Sequence, residues 1–528
     1  MNISNAIDKH WDIVVVGGGM GGGTIAKALT GKGFDVLLLE KGHTHFEKDS
    51  VQSVVIEEDD PETRLSSGKW PHKIKGLVDN TEINIWSSIG CGAGGSTLLY
   101  AAALQRLDPR DFEKRVIPTG EEIAWPFTYE DLCPYSQRAE TIFSVCGTHD
   151  PLGSDSESIL KIPPKTCEAD QSFFNIFKAN GLNPYRLHVG IKYLKECHEC
   201  AGKICQSACK QTAYNCAILP ALNTGRLKIL ERTKVLKFEA DETRVKSVYV
   251  NHLGTQYNIR CKTAVLAAGA MFSPIILLRS KNQYWPNGLA NESGLVGKNL
   301  MFHATDFIAF WPKSKNSCEG PRKTIAMRDY YVYNDIKLGE FQSSGLVAGY
   351  NNVLYALRLM FDQSKLRNIP FIRHFLRIPA FFASKIFGQA SVFATILEDN
   401  PYNENKVVLD ESEPSGMRFE YTIRDELKNR YFLLRNLIRK NTSNLRSFPL
   451  YLGVNLNYGH SSGTCRAGYD PKTSVLNKEC RSHSIENLYV ADGSFMPTSG
   501  GTNPSLTIAA NALRVADIIE RSLKETKY

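Results

Sequence analysis

Asp12-Ile13-Val14-Val15-Val16-Gly17-Gly18-Gly19-Met20-Gly21-Gly22-Gly23 is the stretch that decides the fold. The apolar run reads as a buried strand, the glycines as a tight turn, and Thr24 to Gly31 as a helix. A second apolar run, Asp35-Val36-Leu37-Leu38-Leu39, closes on Glu40. Strand, glycine turn, helix, strand and terminal acid together describe a dinucleotide-binding βαβ unit and not a glycine-rich hairpin. Gly17 makes the turn, Gly19 lets the main chain approach a pyrophosphate, and Gly22 lets the helix pack close to the strand, with Met20 inside the same turn. The helix start aims N–H groups and the positive end of its dipole at the phosphates. Glu40, eighteen residues after Gly22, is placed to accept both hydroxyls of an adenosine ribose, which favours NAD or FAD over NADP.

The 528 residues are 42% hydrophobic and 22% charged, which places the chain among soluble globular proteins of two to four domains. A formal net charge of +8 is mild at this length, and no basic tail or arginine run argues for nucleic acid. The first strand begins near Asp12 and leaves no room for a signal peptide; no apolar run is long enough to span a bilayer. The 13 cysteines then read as reduced thiols or metal ligands of a cytoplasmic protein, with export beside a signal-bearing partner subunit left open.

Along the chain, Glu82-Ile83-Asn84-Ile85-Trp86 reads as a strand running into a second glycine turn that includes Gly92, Gly94, Gly95 and Ser96. This turn closes over a cofactor from another side or is a packing turn, and a helix is expected from Leu98 to about Leu107. Residues 225–240 and 244–252 alternate as a hairpin, and Thr263 to Ala270, including Ala268, forms a buried strand before a helix near Ser273-Pro274. The pattern predicts a dinucleotide-binding domain over 1–304, carrying a cysteine-rich insertion at 190–220. A substrate-binding domain covers 305–450, and residues 451–528 return to the first domain. The expected class is α/β: a Rossmann-like domain assembled from discontinuous segments, plus an α+β domain with an antiparallel sheet. Arg367 to Phe387 interleaves Arg and Lys with Phe, broken by Pro379 into two short helices. It reads as a membrane-surface or partner-docking patch or, the reading favoured, as amphipathic helices lying on the substrate domain.

The C-terminal part holds Gly459-His460-Ser461-Ser462-Gly463-Thr464-Cys465-Arg466-Ala467-Gly468, and later Gly500-Gly501-Thr502-Asn503-Pro504-Ser505-Leu506-Thr507. With these motifs the chain resembles the glucose–methanol–choline flavoprotein oxidoreductases over nearly its whole length. The resemblance also rests on Gly94-Gly95-Ser96-Thr97 with Arg106 and Asp111-Phe112, Trp125-Pro126 with Tyr129, Leu132-Cys133-Pro134-Tyr135, the strand Val265 to Gly269, and Gly297-Lys298-Asn299-Leu300 with His303. The closest look is to the sugar and polyol dehydrogenase and cholesterol-oxidase-like branch. The resemblance implies FAD in the 1–304 domain, His460 at the flavin and Asn503 as its partner. It implies too that the main chain at Val235 borders the adenine and that the Asp492-Gly493 turn serves the flavin and phosphate site.

The chemistry asks for these residue types independently. Oxidising an alcohol moves a hydride from carbon to flavin N5 and a proton from oxygen to a base, and histidine is the default base near neutral pH. His460 is expected to take that proton while Asn503 hydrogen-bonds the same oxygen. His303 and His483 are expected to be structural or supporting. Leu99 stands near where some relatives carry a flavin-bound histidine, so non-covalent FAD is expected. Tyr100 replaces the asparagine of the choline-oxidase-like branch, and Ala467 a frequent methionine. The run from Cys197 through Cys200, Cys205 and Cys209, with Cys216 beyond, suits iron–sulfur ligation, zinc or unligated packing thiols. Some hexose dehydrogenases of the family hold a three-iron cluster here and show two adjacent cysteines, whereas Glu199 precedes Cys200 in this chain. The expected reaction is FAD-dependent oxidation of a sugar, polyol or other CH–OH donor, by a dehydrogenase more than an oxidase. Its electron acceptor would be a quinone, a partner protein or dioxygen. Two further readings stay open: a lyase that retains FAD, and a redox-inactive carrier of the same fold.

Overall fold

The computed structural model describes residues 3–46, 60–153, 157–195, 197, 199–312, 320–347, 349–362, 364, 366, 369–388 and 390–525. The first unit is built on Trp11–Val16, whose residues Ile13 to Val15 are fully buried. Such a run, apolar on both faces, suits a parallel strand covered by helices on either side. It pairs in parallel with Val36–Leu39 on one side and with Thr255–Leu266 on the other, with Val14 opposite Leu37 and Ala264. Leu227–Leu230 extends the sheet beyond Val36–Leu39. Leu488–Val490 returns from the far end of the chain to pair with Ala264 to Leu266. Thr255–Leu266 runs past the parallel region into an antiparallel meander with Val245–His252 and Thr233–Ala240. The helix Met20–Gly31 packs against the C-terminal helix Ser505–Glu525, which also contacts Tyr129–Ile142.

The second unit is an eight-stranded antiparallel sheet. Its strands run in the order Ser447–Pro449, Phe307–Phe310, Ser391–Leu397, Gly339–Val347, Ile325–Met327 and Tyr185–Arg186, with Met301–Ala304 and Leu456–Ser462 attached. One face is packed by aromatics: Phe341 stacks on Phe393 at 5.2 Å, and Phe173 and Phe177 each meet Phe393 edge-on at 5.6 Å. A four-stranded sheet joins Ile74–Val78 and Thr81–Ile85 to Met417–Tyr421 and Lys406–Leu409. Gly76 is required there, because a Cβ would lie 2.3 Å from the Phe419 ring. The class is therefore the one expected: a Rossmann-like α/β unit drawn from discontinuous segments, and an antiparallel α+β unit.

Four local expectations change. The helix after the first strand begins at Met20, not Thr24, because the glycines themselves form its first turn. The segment from Leu98 to Leu107 is not a helix: a 3₁₀ turn, Gly95–Leu98, gives way to extended chain. There Leu104 N–H donates to His188 O and Gly190 N–H to Ala102 O, so lateral pairing replaces helical bonds. The expected hairpin divides, with Leu227–Leu230 joining the parallel sheet while Thr233–Ala240 pairs with Val245–His252. The two helices of the basic aromatic stretch, Pro370–Phe375 and Arg377–Phe387, part at Leu376, and Pro379 sits in the first turn of the second, where its missing N–H costs nothing. Arg367 lies outside the described residues.

Glycine packing at the first turn is directly testable. A Cβ on Gly22 would stand 1.9 Å from Gly17 O, whereas one on Gly19 meets nothing nearer than Gly95 Cα at 3.9 Å. Gly22→Ala should lower the unfolding free energy of the cofactor-free chain by about 2 kcal/mol in urea titrations. Gly19→Ala should cost less than about 1 kcal/mol.

Candidate active site

The nucleotide cradle is made of main chain. Gly17 leaves the first strand at φ +96°, with its missing Cβ aimed at Ala267 O, only 2.5 Å away. Gly19 caps the following helix with no side-chain bond, so the first amides of a twelve-residue helix point out of the turn. The second glycine turn lies directly opposite. Gly94 N–H donates to Gly18 O at 2.9 Å, and Gly95, at φ +51°, brings its Cβ direction to 2.6 Å from Gly19 Cα. Ser96 Oγ accepts Gly90 N–H and closes that turn. A side chain on either turn would fill the slot that a pyrophosphate needs.

Glu40 is buried and accepts the amides of Gly18 at 2.9 Å, Gly42 at 2.9 Å and Gly92 at 3.1 Å. A carboxylate has about four acceptor directions. Three amides therefore leave room for one ribose hydroxyl, not the two the sequence suggested, and Glu40 also ties the two glycine turns together. Thr233 N–H donates to Glu40 O, which sets buried Val235 two residues along the adjoining strand. On the other side Asp492 accepts from Gly269 N–H at 2.8 Å, Ser273 Oγ at 2.5 Å and Ser494 N–H at 2.9 Å. Burial pushes its carboxyl above the ordinary range, opposed by these donors. Ala268 N–H is held by Ser273 Oγ, and Gly463 N–H donates to Gly493 O. Met20, Gly22 and these residues thus surround one helix start. Ser273 and Gly269 went unremarked in the sequence; a serine opening a helix carries no signal until the distant Asp492 is placed beside it.

His460 lies on Leu456–Ser462, paired with Met301–Ala304, the strand that carries His303. The two imidazoles face each other, Nδ1 to Nδ1, at 3.0 Å. His303 Nε2 reaches Gly500 O at 2.9 Å. A carbonyl only accepts, so His303 carries its proton on Nε2 and presents a bare Nδ1. That nitrogen must accept, so His460 Nδ1 is the protonated one and His460 Nε2 is left as a free base. Among the described residues nothing occupies His460 Nε2. Burial holds the His303 pKa down to about 4. Burial, His303 and Lys323 hold that of His460 well below the ordinary 6.5. His303 thus sets the tautomer of His460, which gives the supporting place expected of it a specific geometry. His483 is elsewhere, with its ring on Ser474 Oγ.

Asn503 lies just before the C-terminal helix. Its Nδ2 donates to Gln105 Oε1 at 3.0 Å and Gln342 Oε1 at 3.2 Å. Gln105 in turn gives its amide to Tyr185 Oη and Glu340, fixing its oxygen toward Asn503. Both Asn503 amide hydrogens are committed, so only its Oδ1 is offered. The same loop connects Asn503 to Gly500, and through it to His303 and His460. Arg106 forms a buried bidentate pair with Glu140 and is structural.

The cysteine loop gives the expected iron–sulfur or zinc ligation by Cys200, Cys205 and Cys209 no support. Among the described residues no group of three or more His, Cys, Asp or Glu side chains is placed to hold a metal ion. The thiols interact in pairs instead: Cys200 beside Cys205 holds the Cys205 thiol below its ordinary range, and Cys197 lies beside Cys209. A buried ammonium organises the loop. Lys210 Nζ reaches the carbonyls of Leu98, Tyr100, Cys200 and Lys203 at 2.7–3.2 Å. This ties the loop to the second glycine turn, where Leu99 is buried. His198 lies outside the described residues.

Comparison with known proteins agrees with this geometry. The GMC oxidoreductase family matches over residues 12–305 and again over 441–512. A paromamine 6'-oxidase from Streptomyces fradiae is 28% identical over 98% of this chain and 92% of its own length. A 6'''-hydroxyparomomycin C oxidase from Streptomyces lividus is 26% identical over the same shares. A formate oxidase structure from Aspergillus oryzae superposes with a TM-score of 0.67 at 16% identity, covering 98% of this chain and 99% of that one. The two matched regions take in the glycine cradle and the segment of His460 and Asn503, and the chain belongs to the GMC oxidoreductase family.

Proposed function

We propose that this chain oxidises a CH–OH group of a sugar- or polyol-like small molecule to the carbonyl, with His460 Nε2 as base. The chain is an FAD-dependent oxidoreductase of its family, and the cradle fits that cofactor: an uncapped helix start, two facing glycine turns and a buried acid beside them. Bound there, FAD supplies the hydride acceptor. Gly17, Gly19, Gly94 and Gly95 would line its pyrophosphate, Glu40 its ribose, and the Asp492 turn its flavin end. With Leu99 in place of a histidine, the cofactor is held non-covalently in this reading.

The observation that carries the proposal is the tautomer chain from Gly500 O through His303 to His460. It leaves His460 Nε2 unprotonated without help from an ionised partner. The substrate hydroxyl donates to this nitrogen, and its proton passes there as the C–H bond breaks. Asn503 Oδ1, fixed by Gln105 and Gln342, orients a neighbouring hydroxyl by accepting its hydrogen bond; with both amide hydrogens committed it does not hold the reacting oxygen itself, as the sequence had suggested. Two relatives, named as a paromamine 6'-oxidase and a 6'''-hydroxyparomomycin C oxidase, support a CH–OH donor of this kind.

Anaerobic mixing of the FAD-loaded protein with a panel of sugars and polyols tests this reading. At least one should bleach the flavin, and a protein that stays yellow while releasing an aldehyde would be a lyase instead. His460→Ala should keep its flavin and lose about 10²-fold or more in the rate of bleaching; near-normal bleaching would remove His460 from the mechanism. A base with a depressed pKa is deprotonated above that value and lost below it. Bleaching should therefore hold steady as pH falls through 6.5 and decline only at lower pH. His303→Phe removes the acceptor for His460 Nδ1–H and one cause of the depressed pKa, and should slow bleaching and move the acid limb upward.

A further inference from the structure

We propose that the helices Pro370–Phe375 and Arg377–Phe387 form a docking surface for an anionic lipid bilayer. The proposal is independent of the role of His460. Phe371, Phe375, Ile378, Phe381, Phe382 and Ile386 are each 51–64% exposed. Positions 371 and 375 in the first helix and 378, 382 and 386 in the second recur at helical spacing, so each helix presents an exposed apolar stripe. This inverts ordinary packing, in which the apolar stripe faces the core. In Arg377–Phe387 the one buried side chain described is that of Ala380. Six half-exposed side chains of this size present on the order of 500 Å² of apolar surface, as large as the largest patch of a typical monomer. The stripe continues through Phe387, whose ring meets Trp311 at 5.4 Å and half-exposed Phe448 at 5.6 Å. The favoured sequence reading, with these helices lying on the substrate domain by their apolar faces, does not account for that exposure.

Charge selects the occupant. Between Asp362 and Glu398 the chain carries Lys365, Arg367, Arg373, Arg377 and Lys385 and not one carboxylate. Arg377 and Lys385 are exposed beside the stripe, and exposed Arg446 lies over the Trp311 ring at 4.4 Å. A second copy docked across a twofold axis would bring these cations against their own equivalents. An anionic membrane neutralises them while its acyl boundary accepts the phenylalanines, the mode of an interfacial amphipathic helix. Eleven residues reach about 16 Å, far short of a bilayer core, so the helix lies in the interface and does not cross it. Among the described residues no helix is long and apolar enough to cross a membrane.

Vesicle flotation of the full FAD-loaded chain tests this. The protein should float with phosphatidylcholine vesicles containing about 30 mol% phosphatidylglycerol and much less with phosphatidylcholine alone. The double variant Phe375→Ser with Phe382→Ser, whose circular dichroism should match the parent because both side chains are exposed, should bind the anionic vesicles about tenfold or more weakly. Arg377→Ala with Lys385→Ala should weaken flotation on anionic vesicles and leave the phosphatidylcholine level unchanged. The proposal falls if the parent stays unbound on anionic vesicles, or if the phenylalanine variant floats as the parent does. It falls equally if the parent is a dimer that the phenylalanine variant dissociates while neither floats, since the stripe would then serve a second copy.

Discussion

Backbone meeting backbone at the start of one helix is the constraint on which the rest of the molecule depends. Gly21 stands so close to the C-terminal segment that a Cβ would lie 1.7 Å from Ala491 O. Gly17 is pressed on Ala267 O, Gly22 on Gly17 O, and Gly95 on Gly19 Cα. Four stretches of chain, near residues 17, 95, 267 and 491, therefore converge without any side chain between them. Glu40 joins two of them by accepting the amides of Gly18 and Gly92, and Asp492 joins the other two by accepting those of Gly269 and Ser494. Burying either carboxylate is offset only because each has several donors. The nucleotide cradle is thus a by-product of how the sheet closes.

The histidine pair is set by the second sheet in a different way. His460 and His303 sit on adjacent antiparallel strands, and their rings meet edge-on with centroids 5.1 Å apart. One carbonyl, Gly500 O, decides which nitrogen of each ring carries hydrogen. Gly500 belongs to the loop that leads through Asn503 into the C-terminal helix, and that helix packs on the glycine-turn helix of the first sheet. The proposed base His460 and the proposed pyrophosphate turn at Gly19 therefore share one mechanical link, running through residues 500–505. A carbonyl in this position directs the pair without an ionised hydrogen-bond partner on either ring, which suits the proposed role of His460 as base.

The cysteine-rich loop and the aromatic helices show where side-chain type misleads when neighbours are unknown. Dense thiols suggest ligands, yet here they face one another in pairs around a lysine that bonds four carbonyls. An alternating Phe and Arg pattern suggests an amphipathic helix in either orientation, and nothing in its spacing says whether the apolar side turns inward. Leu98 to Leu107 has helical composition, but its Leu104 amide finds His188 O and its Ala102 carbonyl finds Gly190 N–H, partners which tertiary contact supplies and local propensity cannot foresee.

What the chain determined on its own was everything carried by local pattern. The strand–glycine–helix–strand–acid run, the strand before Ser273, the C-terminal strand and helix, and the order of motifs marking His460 and Asn503 were all legible, because glycine need, apolar period and motif spacing act over a few residues. Only the tertiary structure decided that His303 directs His460, that Asn503 has just its oxygen to offer, that Glu40 has three amides already, and that the Phe371–Ile386 stripe faces outward. Each of these depends on which distant group ends within hydrogen-bond or van der Waals reach. Such distances are set by sheet register and helix packing over hundreds of residues, not by the composition of any one segment.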